Sequence, residues 1–295
     1  MLLRVLGSAA GGGSPQWNCG CPVCAAVRSG AAPPRTQSSA AVSADGRRWF
    51  LLNASPDVHT QFEAFPALRP HDARTTPLEA VLLTDAELDH TLGLLLLREA
   101  HALRLYATAA VHKVVSDGTG ILRTLEHYCP VEWRAVLPGA DLPLADGLSC
   151  RAFDVPTTKR ARFGARSDPE RVVGYRLTDE RGGGTLVYLP GVQTLTRALR
   201  REIEGCGCLL IDGTCWRDDE LVRLGLADRT SREMGHLPMD GPEGSLALLP
   251  SLGVGRVVFV HVNNTNPVLL DGTPERRTVE GYGMEVAMDG LEVQV

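Results

Sequence analysis

No run of about twenty apolar residues occurs in the chain, so nothing in it reads as a membrane-spanning helix. No Gly-Lys-Ser/Thr follows the glycine-rich stretch Gly7-Ser8-Ala9-Ala10-Gly11-Gly12-Gly13, which excludes a phosphate-gripping P-loop. Basic residues are not massed. The net charge is −5, the arginines are scattered, and the densest run, Lys159-Arg160-Ala161-Arg162, is short. That balance gives no electrostatic case for nucleic acid or an anionic membrane as partner. The short run reads as a solvated loop or, more sharply, as a contact for an anionic substrate. Met1-Leu2-Leu3-Arg4-Val5-Leu6-Gly7 is too short for the apolar region of a signal peptide, and the expected location is cytoplasmic. Repeats and low-complexity segments are absent.

What is present is a globular composition. Apolar residues make up 44% of 295, enough for a substantial core. The length exceeds the usual domain size, but layered α/β folds of this length occur as one unit. Strands are expected over 38–42, 49–52, 80–83, 103–107, 148–155, 173–178, 185–189, 208–211 and 257–260. Helices are expected over 111–125 and 195–203. Near the end, 284–288 and 291–295 flank Asp289-Gly290, a hairpin signal. The longest irregular stretch, 156–171, has the length of a functional loop. No linker divides the chain, so a single α/β domain over 1–295 is expected.

Four constellations can carry chemistry. Thr84-Asp85-Ala86-Glu87-Leu88-Asp89-His90 follows the apolar run at 80–83 and opens a helix-like run. A strand that delivers carboxylates and a histidine onto such a loop suits a metal site. The plainer alternative is a solvated acidic helix start. His261 lies just past the run at 257–260 and leads into Val262-Asn263-Asn264-Thr265-Asn266-Pro267, a turn loaded with polar side chains. Asp212 ends a strand expected to be buried, where a carboxylate needs a partner. His236 is the candidate, because Asp–His pairs set tautomer and pKa for proton transfer. Finally, Cys19-Gly20-Cys21-Pro22-Val23-Cys24 places three thiols close enough to converge on one structural zinc, in a loop of about residues 17–26. Eight cysteines in such a chain point to metal binding or buried thiols rather than a disulfide framework, and Cys206-Gly207-Cys208 reads as core thiols.

Taken in order, these features resemble the metallo-β-lactamase superfamily, in its ribonuclease Z-like and cyclic phosphodiesterase branch. The segment Asp85 to His90 matches the first ligand motif, Asp212-Gly213-Thr214 the acidic strand end, Gly235-His236 the late Gly-His, and His261 the final metal histidine. The resemblance is closer still to the coenzyme PQQ (pyrroloquinoline quinone) synthesis protein B family. It is carried by the glycine stretch at 7–13, Pro15-Gln16-Trp17-Asn18-Cys19, Ala54-Ser55-Pro56-Asp57, Arg232-Glu233-Met234-Gly235-His236 and the segment from His261 to Pro267. The implied fold is the four-layer αβ/βα sandwich of that superfamily.

The departures from the hydrolase pattern bear on mechanism. Asp85 and Glu87 stand where the superfamily carries two histidines, no histidine occurs around 153–157, and no carboxylate around 188–192. A two-metal hydrolytic clamp therefore lacks its first ligand set. Asp89, His90 and His261 remain, the two-histidine, one-carboxylate set of a mononuclear non-haem Fe(II) oxygenase, although zinc would also accept them. The family resemblance implies hydroxylation of the tyrosine ring of a Glu–Tyr intermediate derived from the precursor peptide, with O₂ as co-substrate. It implies that Asp212 and His236 orient substrate or move protons, and that Asp85 or Glu87 contacts an amine or phenol proton. Cys19, Cys21 and Cys24 would hold zinc with Asn264 or His236 as fourth ligand. The Cys-x-Cys-x-x-Cys loop is similar to a structural zinc clip in the phosphonate-pathway phosphodiesterase of the superfamily, and Asn264 is favoured because that enzyme places its fourth zinc ligand three residues after the last active-site histidine. A non-catalytic PQQ carrier and a divergent hydrolase are the rival readings. A homodimer and other PQQ pathway proteins are the partners left open.

Overall fold

The computed structural model describes residues 1–163 and 169–295. Its strands are β1 (Leu2–Gly7), β2 (Ser39–Ser43), β3 (Trp49–Leu52), β4 (Leu78–Leu82), β5 (Leu103–Ala107), β6 (Val131–Ala135), β7 (Asp141–Pro143), β8 (Leu148–Asp154), β9 (Val173–Asp179), β10 (Thr185–Leu189), β11 (Cys208–Asp212), β12 (Val257–Val260), β13 (Glu285–Val286) and β14 (Glu292–Gln294). Helices are α1 (Pro22–Arg28), α2 (Val58–Glu63), α3 (Leu88–Thr91), α4 (Ala109–Lys113), α5 (Ile121–Leu125), α6 (Arg197–Ile203), α7 (Glu220–Arg223), α8 (Ser245–Leu248) and α9 (Pro274–Gly281).

The strands form two seven-stranded mixed sheets, ordered β14-β1-β2-β3-β4-β5-β6 and β13-β12-β11-β10-β9-β8-β7. Period-two alternation sorts each strand between two faces. In the second sheet, Leu186, Tyr188, Cys208, Leu210, Val258 and Val260 face the first, where Leu52, Ala80 and Leu82 meet them. The intervening residues Val187, Leu189, Leu209, Ile211 and Phe259 face outward and are covered by Leu199, Ile203, Leu246 and Val279 from α6, α8 and α9. On the first sheet, Leu51, Val81 and Leu105 are likewise covered by Val58, Val111 and Leu122 from α2, α4 and α5. The result is helix, sheet, sheet, helix. Burial on both faces explains why β12, most of β11 and the last three residues of β4 read as unbroken apolar runs.

Two local expectations are corrected. The helix expected over 111–125 is broken into α4, a π-turn at Val114–Gly118, and α5. Gly120 lies at φ +73, a left-handed conformation glycine takes without penalty, and it ends the run between the pieces. The Asp289-Gly290 hairpin does not form either. β13 pairs with β12 in one sheet and β14 with β1 in the other, so the turn carries the chain between sheets. The Asp289 carboxylate instead accepts hydrogen bonds from Ser8 N and Oγ (2.9 and 2.7 Å) and Thr36 N and Oγ1 (2.6 and 2.8 Å). Long-range capture of the carboxylate overrides the local turn signal. Within the loop expected at 156–171, residues 164–168 lie outside the described residues, and the remainder is irregular.

Parallel pairing of β3, β4 and β5 in one sheet and of β10, β11 and β12 in the other puts their C-terminal ends at one edge of the sandwich. The loops after β4, β11 and β12 carry the candidate residues. Strand carboxyl ends are the usual place for a site in such folds.

Candidate metal centre

β4 ends in a turn built by its own side chains. Asp85 Oδ1 accepts from the Glu87 amide at 2.9 Å, an Asx-type contact that bends the chain into α3. Asp85 Oδ2 accepts from Thr84 Oγ1 at 2.9 Å, and Thr84 is itself held by Asn53, at the end of β3. One turn later the His90 ring returns over this carboxylate, with Nδ1 at 2.9 and 2.8 Å from its two oxygens. Nδ1 is thereby committed and Nε2 points away. That Nε2 is buried and lacks a hydrogen-bond partner among the described residues. Burial disfavours the charged ring, but Asp85 and Asp89 outweigh it and raise His90 to about 9. Burial likewise works to raise Asp85, yet the His90 ring, by charge and hydrogen bond, holds it at about 2.

β12 delivers the third group. His261 adopts φ +54, a left-handed backbone uncommon outside glycine, and its Nε2 reaches Asp89 Oδ2 at 3.1 Å. The same Asp89 oxygen is 3.9 Å from His90 Nε2. Burial lowers His261 despite Asp89. Asp89, against its own burial, is held well below the ordinary carboxylate range by His90 and His261. One ligand atom from each of Asp89, His90 and His261 lies within 4.8 Å of the others. An orphaned buried imidazole nitrogen is costly unless something satisfies it, and a cation between these three atoms would do so. The donor set and its geometry fit a metal ion. Asp85 behind His90 completes the carboxylate–histidine arrangement that fixes the tautomer of metal-binding histidines.

A second Asp–His pair stands beside this corner. Asp212 is on the inner face of its sheet by alternation with Cys208 and Leu210, and fully buried. Its Oδ2 meets His236 Nδ1 at 2.8 Å and accepts the Val192 amide at 3.0 Å. Its Oδ1 accepts from Thr214 N and Oγ1 at 2.9 and 2.7 Å. Burial would raise this carboxyl, but His236 and the other partners hold it lowered. The Thr214 hydroxyl joins the pairs: it lies 2.9 Å from His261 Nδ1 and 3.1 Å from His236 Nδ1. The His236 and His261 rings stack with centroids 5.2 Å apart.

Both pairs open onto a cavity of about 1170 Å³, whose wall includes Lys159, Arg160, Arg162, Arg229 and Arg232. The same wall carries Asp85, Glu87, Asp89 and Glu233, so five cations and four carboxylates surround this space. Glu87 extends into the same cavity and pairs with Lys159 Nζ at 2.9 Å and Arg162 Nε at 3.2 Å. Arg160 and Arg229 have no hydrogen-bond or ion-pair partner among the described residues.

The three thiols of Cys19, Cys21 and Cys24 also converge within 4.8 Å, with Pro22 starting α1 between them. Asn264 covers them: its Nδ2 is 3.2 Å from Cys24 Sγ and its backbone oxygen is 3.4 Å from Cys21 Sγ. The amide orientation is interchangeable, so its oxygen can occupy the place assigned to nitrogen. Three sulfurs and an amide oxygen suit a closed tetrahedral zinc.

The expected groupings Asp89–His90–His261, Asp212–His236 and Cys19–Cys21–Cys24–Asn264 are each brought together. His236, the other candidate for the thiol cluster, is held by Asp212 instead. Asp85 is not free to meet an amine or a phenol, because His90, Thr84 and the Glu87 amide take up its oxygens. Glu87 does face the cavity. Thr214, Thr84 and Asn53 were not singled out as site residues by sequence. The available signal was a polar residue at the end of a buried strand, which applies to all three. Cys206 and Cys208 are core thiols, raised by burial to about 11 and about 12.

A β-lactamase superfamily domain profile matches residues 48–262. Coenzyme PQQ synthesis protein B of Methylococcus capsulatus is 44% identical to this chain over 302 residues, covering 99% of each. That of Pseudomonas paraeruginosa is 42% identical over the full length of both. The crystal structure of zinc-bound PqqB from Methylobacterium extorquens superposes with a TM-score of 0.93 at 42% identity, covering all of both chains. A diphosphatase of the PhnP family, at 21% identity and a TM-score of 0.72, shares the fold. Full-length identity above 40%, on a sandwich with the same outline, shows that this chain belongs to the coenzyme PQQ synthesis protein B family and has the metallo-β-lactamase fold.

Proposed function

We propose that the chain acts in PQQ biosynthesis as a metal-dependent enzyme that hydroxylates the tyrosine ring of a Glu–Tyr intermediate, using Fe(II) and O₂. Its place in PQQ biosynthesis rests on the names of its full-length relatives. The observation that carries the chemistry is the buried, unpartnered Nε2 of His90, facing Asp89 and His261. Two imidazoles and one carboxylate leave open coordination positions, which is the iron oxygenase pattern. Iron(II) held there would supply O₂ activation.

The surrounding residues have defined tasks under this reading. Asp85 fixes the His90 ring so that Nε2 is offered as ligand. Asp212 accepts a hydrogen bond from His236 Nδ1–H, which leaves Nε2 to accept a proton from the phenol as the ring is oxidised. Arg160 and Arg229, on the cavity wall, hold the substrate carboxylates, and Arg supplies the planar fork that matches them. Hydrolysis is disfavoured because Asp85 and Glu87 are engaged by His90 and by Lys159 and Arg162. Cys19, Cys21, Cys24 and Asn264 hold a structural zinc.

The test is anaerobic reconstitution with Fe(II), followed by O₂ and a Glu–Tyr or Glu–DOPA substrate. Oxygen uptake coupled to a product heavier by oxygen is the expected result. Absence of uptake together with tight PQQ binding would replace the hydroxylase with a carrier.

A further inference from the structure

The two metal-binding clusters share one turn. His261, at φ +54, begins it, and Asn264, over the thiols, lies three residues on. Between them Asn263 N donates to Thr214 O at 3.0 Å. Beyond them, Thr265 Oγ1 donates to buried Glu220 at 2.5 Å, and Asn266 N donates to Asn263 O at 3.0 Å. The segment leading into the cysteines meets the same turn from the other side. Val262 N donates to Ser8 O at 3.0 Å and Ala10 N to Val262 O at 2.9 Å. Gly11 then passes so close to Asp89 that a Cβ there would lie 3.2 Å from Asp89 Oδ2. Residues 8–24 therefore touch His261's neighbour and Asp89 at one end and Asn264 at the other.

We propose that the cysteine clip is a positioning device for the metal centre. Closing it on a metal holds Asn264, fixes the strained turn that carries His261, and keeps the glycine segment against Asp89. Cys19, Cys21, Cys24 and Asn264 are positioning residues for a site they do not touch. A left-handed histidine persists only where its surroundings over-determine it, and the clip supplies that constraint. The proposal rests on the zinc and iron assignments above.

The experiment measures zinc and iron per chain, Fe(II) affinity and the EPR spectrum of the ferrous–nitrosyl adduct in wild-type protein and in Cys21→Ser, Asn264→Ala and Asn264→Asp. Cys21→Ser and Asn264→Ala are expected to lose zinc, to bind Fe(II) roughly 10–100-fold more weakly, and to give a broadened nitrosyl spectrum. That range is typical for loss of the outer partners of metal ligands. Asn264→Asp, which keeps an oxygen donor, is expected to restore both. If Cys21→Ser fails to fold, the two Asn264 variants carry the test. Variants that have lost zinc yet keep wild-type iron affinity and spectrum would overturn the proposal alone. Wild-type protein that takes Co(II) without thiolate-to-cobalt absorption would overturn the zinc assignment itself, and the proposal with it.

Discussion

Each sheet contributes one carboxylate that grips a histidine through Nδ1 at 2.8 Å: Asp85 with His90 after β4, and Asp212 with His236 after β11. The pairs look alike and are built for different ends. Asp85 leaves His90 with a buried, unsatisfied Nε2 beside Asp89 and His261, an arrangement that fits a metal ligand. Asp212 is loaded with three further donors, from Val192 and Thr214, and its histidine borders the open cavity. Under the proposed function, that pair prepares a proton acceptor. The chemistry of an Asp–His pair is set by what faces the second nitrogen, not by the pair itself.

The largest expected effect comes from removing what faces that nitrogen. His90→Ala and His261→Ala each abolish iron retention while zinc stays near one equivalent per chain, as read by metal analysis. Either variant keeping full iron and activity would break the ligand assignment. Next, Asp212→Asn leaves iron bound but lowers turnover by about 10²–10⁴-fold, the usual scale for a general base, measured by oxygen uptake under saturating substrate. Asp85→Asn acts the opposite way, weakening Fe(II) affinity by roughly 10–100-fold in a competition titration, because the His90 tautomer is no longer enforced. Equal effects of the two substitutions on metal affinity would erase the distinction between the pairs.

The smallest effect is one of pH on metal-free protein. His90 is raised to about 9, so its contribution to stability is fully present below its unfolded value near 6.5 and is lost as pH rises through about 9. Asp85 is lowered to about 2, so its contribution is present above 3.8 and is lost as pH falls through about 2. Thermal melts of chelator-treated protein should therefore peak between about pH 4 and 6.5 for this pair. Iron loading should flatten the alkaline limb, since a metal on Nε2 takes the place of the proton that would be lost there, while Nδ1–H stays on Asp85.

Residues whose role depends on near neighbours were legible in the sequence. Asp89 and His90 are adjacent, the cysteines lie within one loop, and the apolar runs of β4, β11 and β12 announce buried parallel strands. Roles that depend on how the backbone folds back or on distant chain were not. Asp85 reads as free to meet substrate until His90 is seen to fold back over it. Asp289-Gly290 reads as a hairpin until Ser8 and Thr36 are seen to claim its carboxylate. The edge strands β6 and β7 escape notice because half-exposed strands lack an apolar run.

By itself the sequence determined the α/β class, the family and the candidate metal-ligating residues, because these follow from hydrophobic period, donor chemistry and motif spacing. Only the tertiary structure decided which nitrogen each histidine offers and which carboxylate is already taken. It also placed Asn264 over the thiols and His261 beside Asp89, three residues apart in one turn. The His236–Asp212 and His261–Asp89 contacts join residues far apart in the chain, and the Asp85–His90 contact, though local, depends on how the chain bends after β4, which hydrophobic period does not encode.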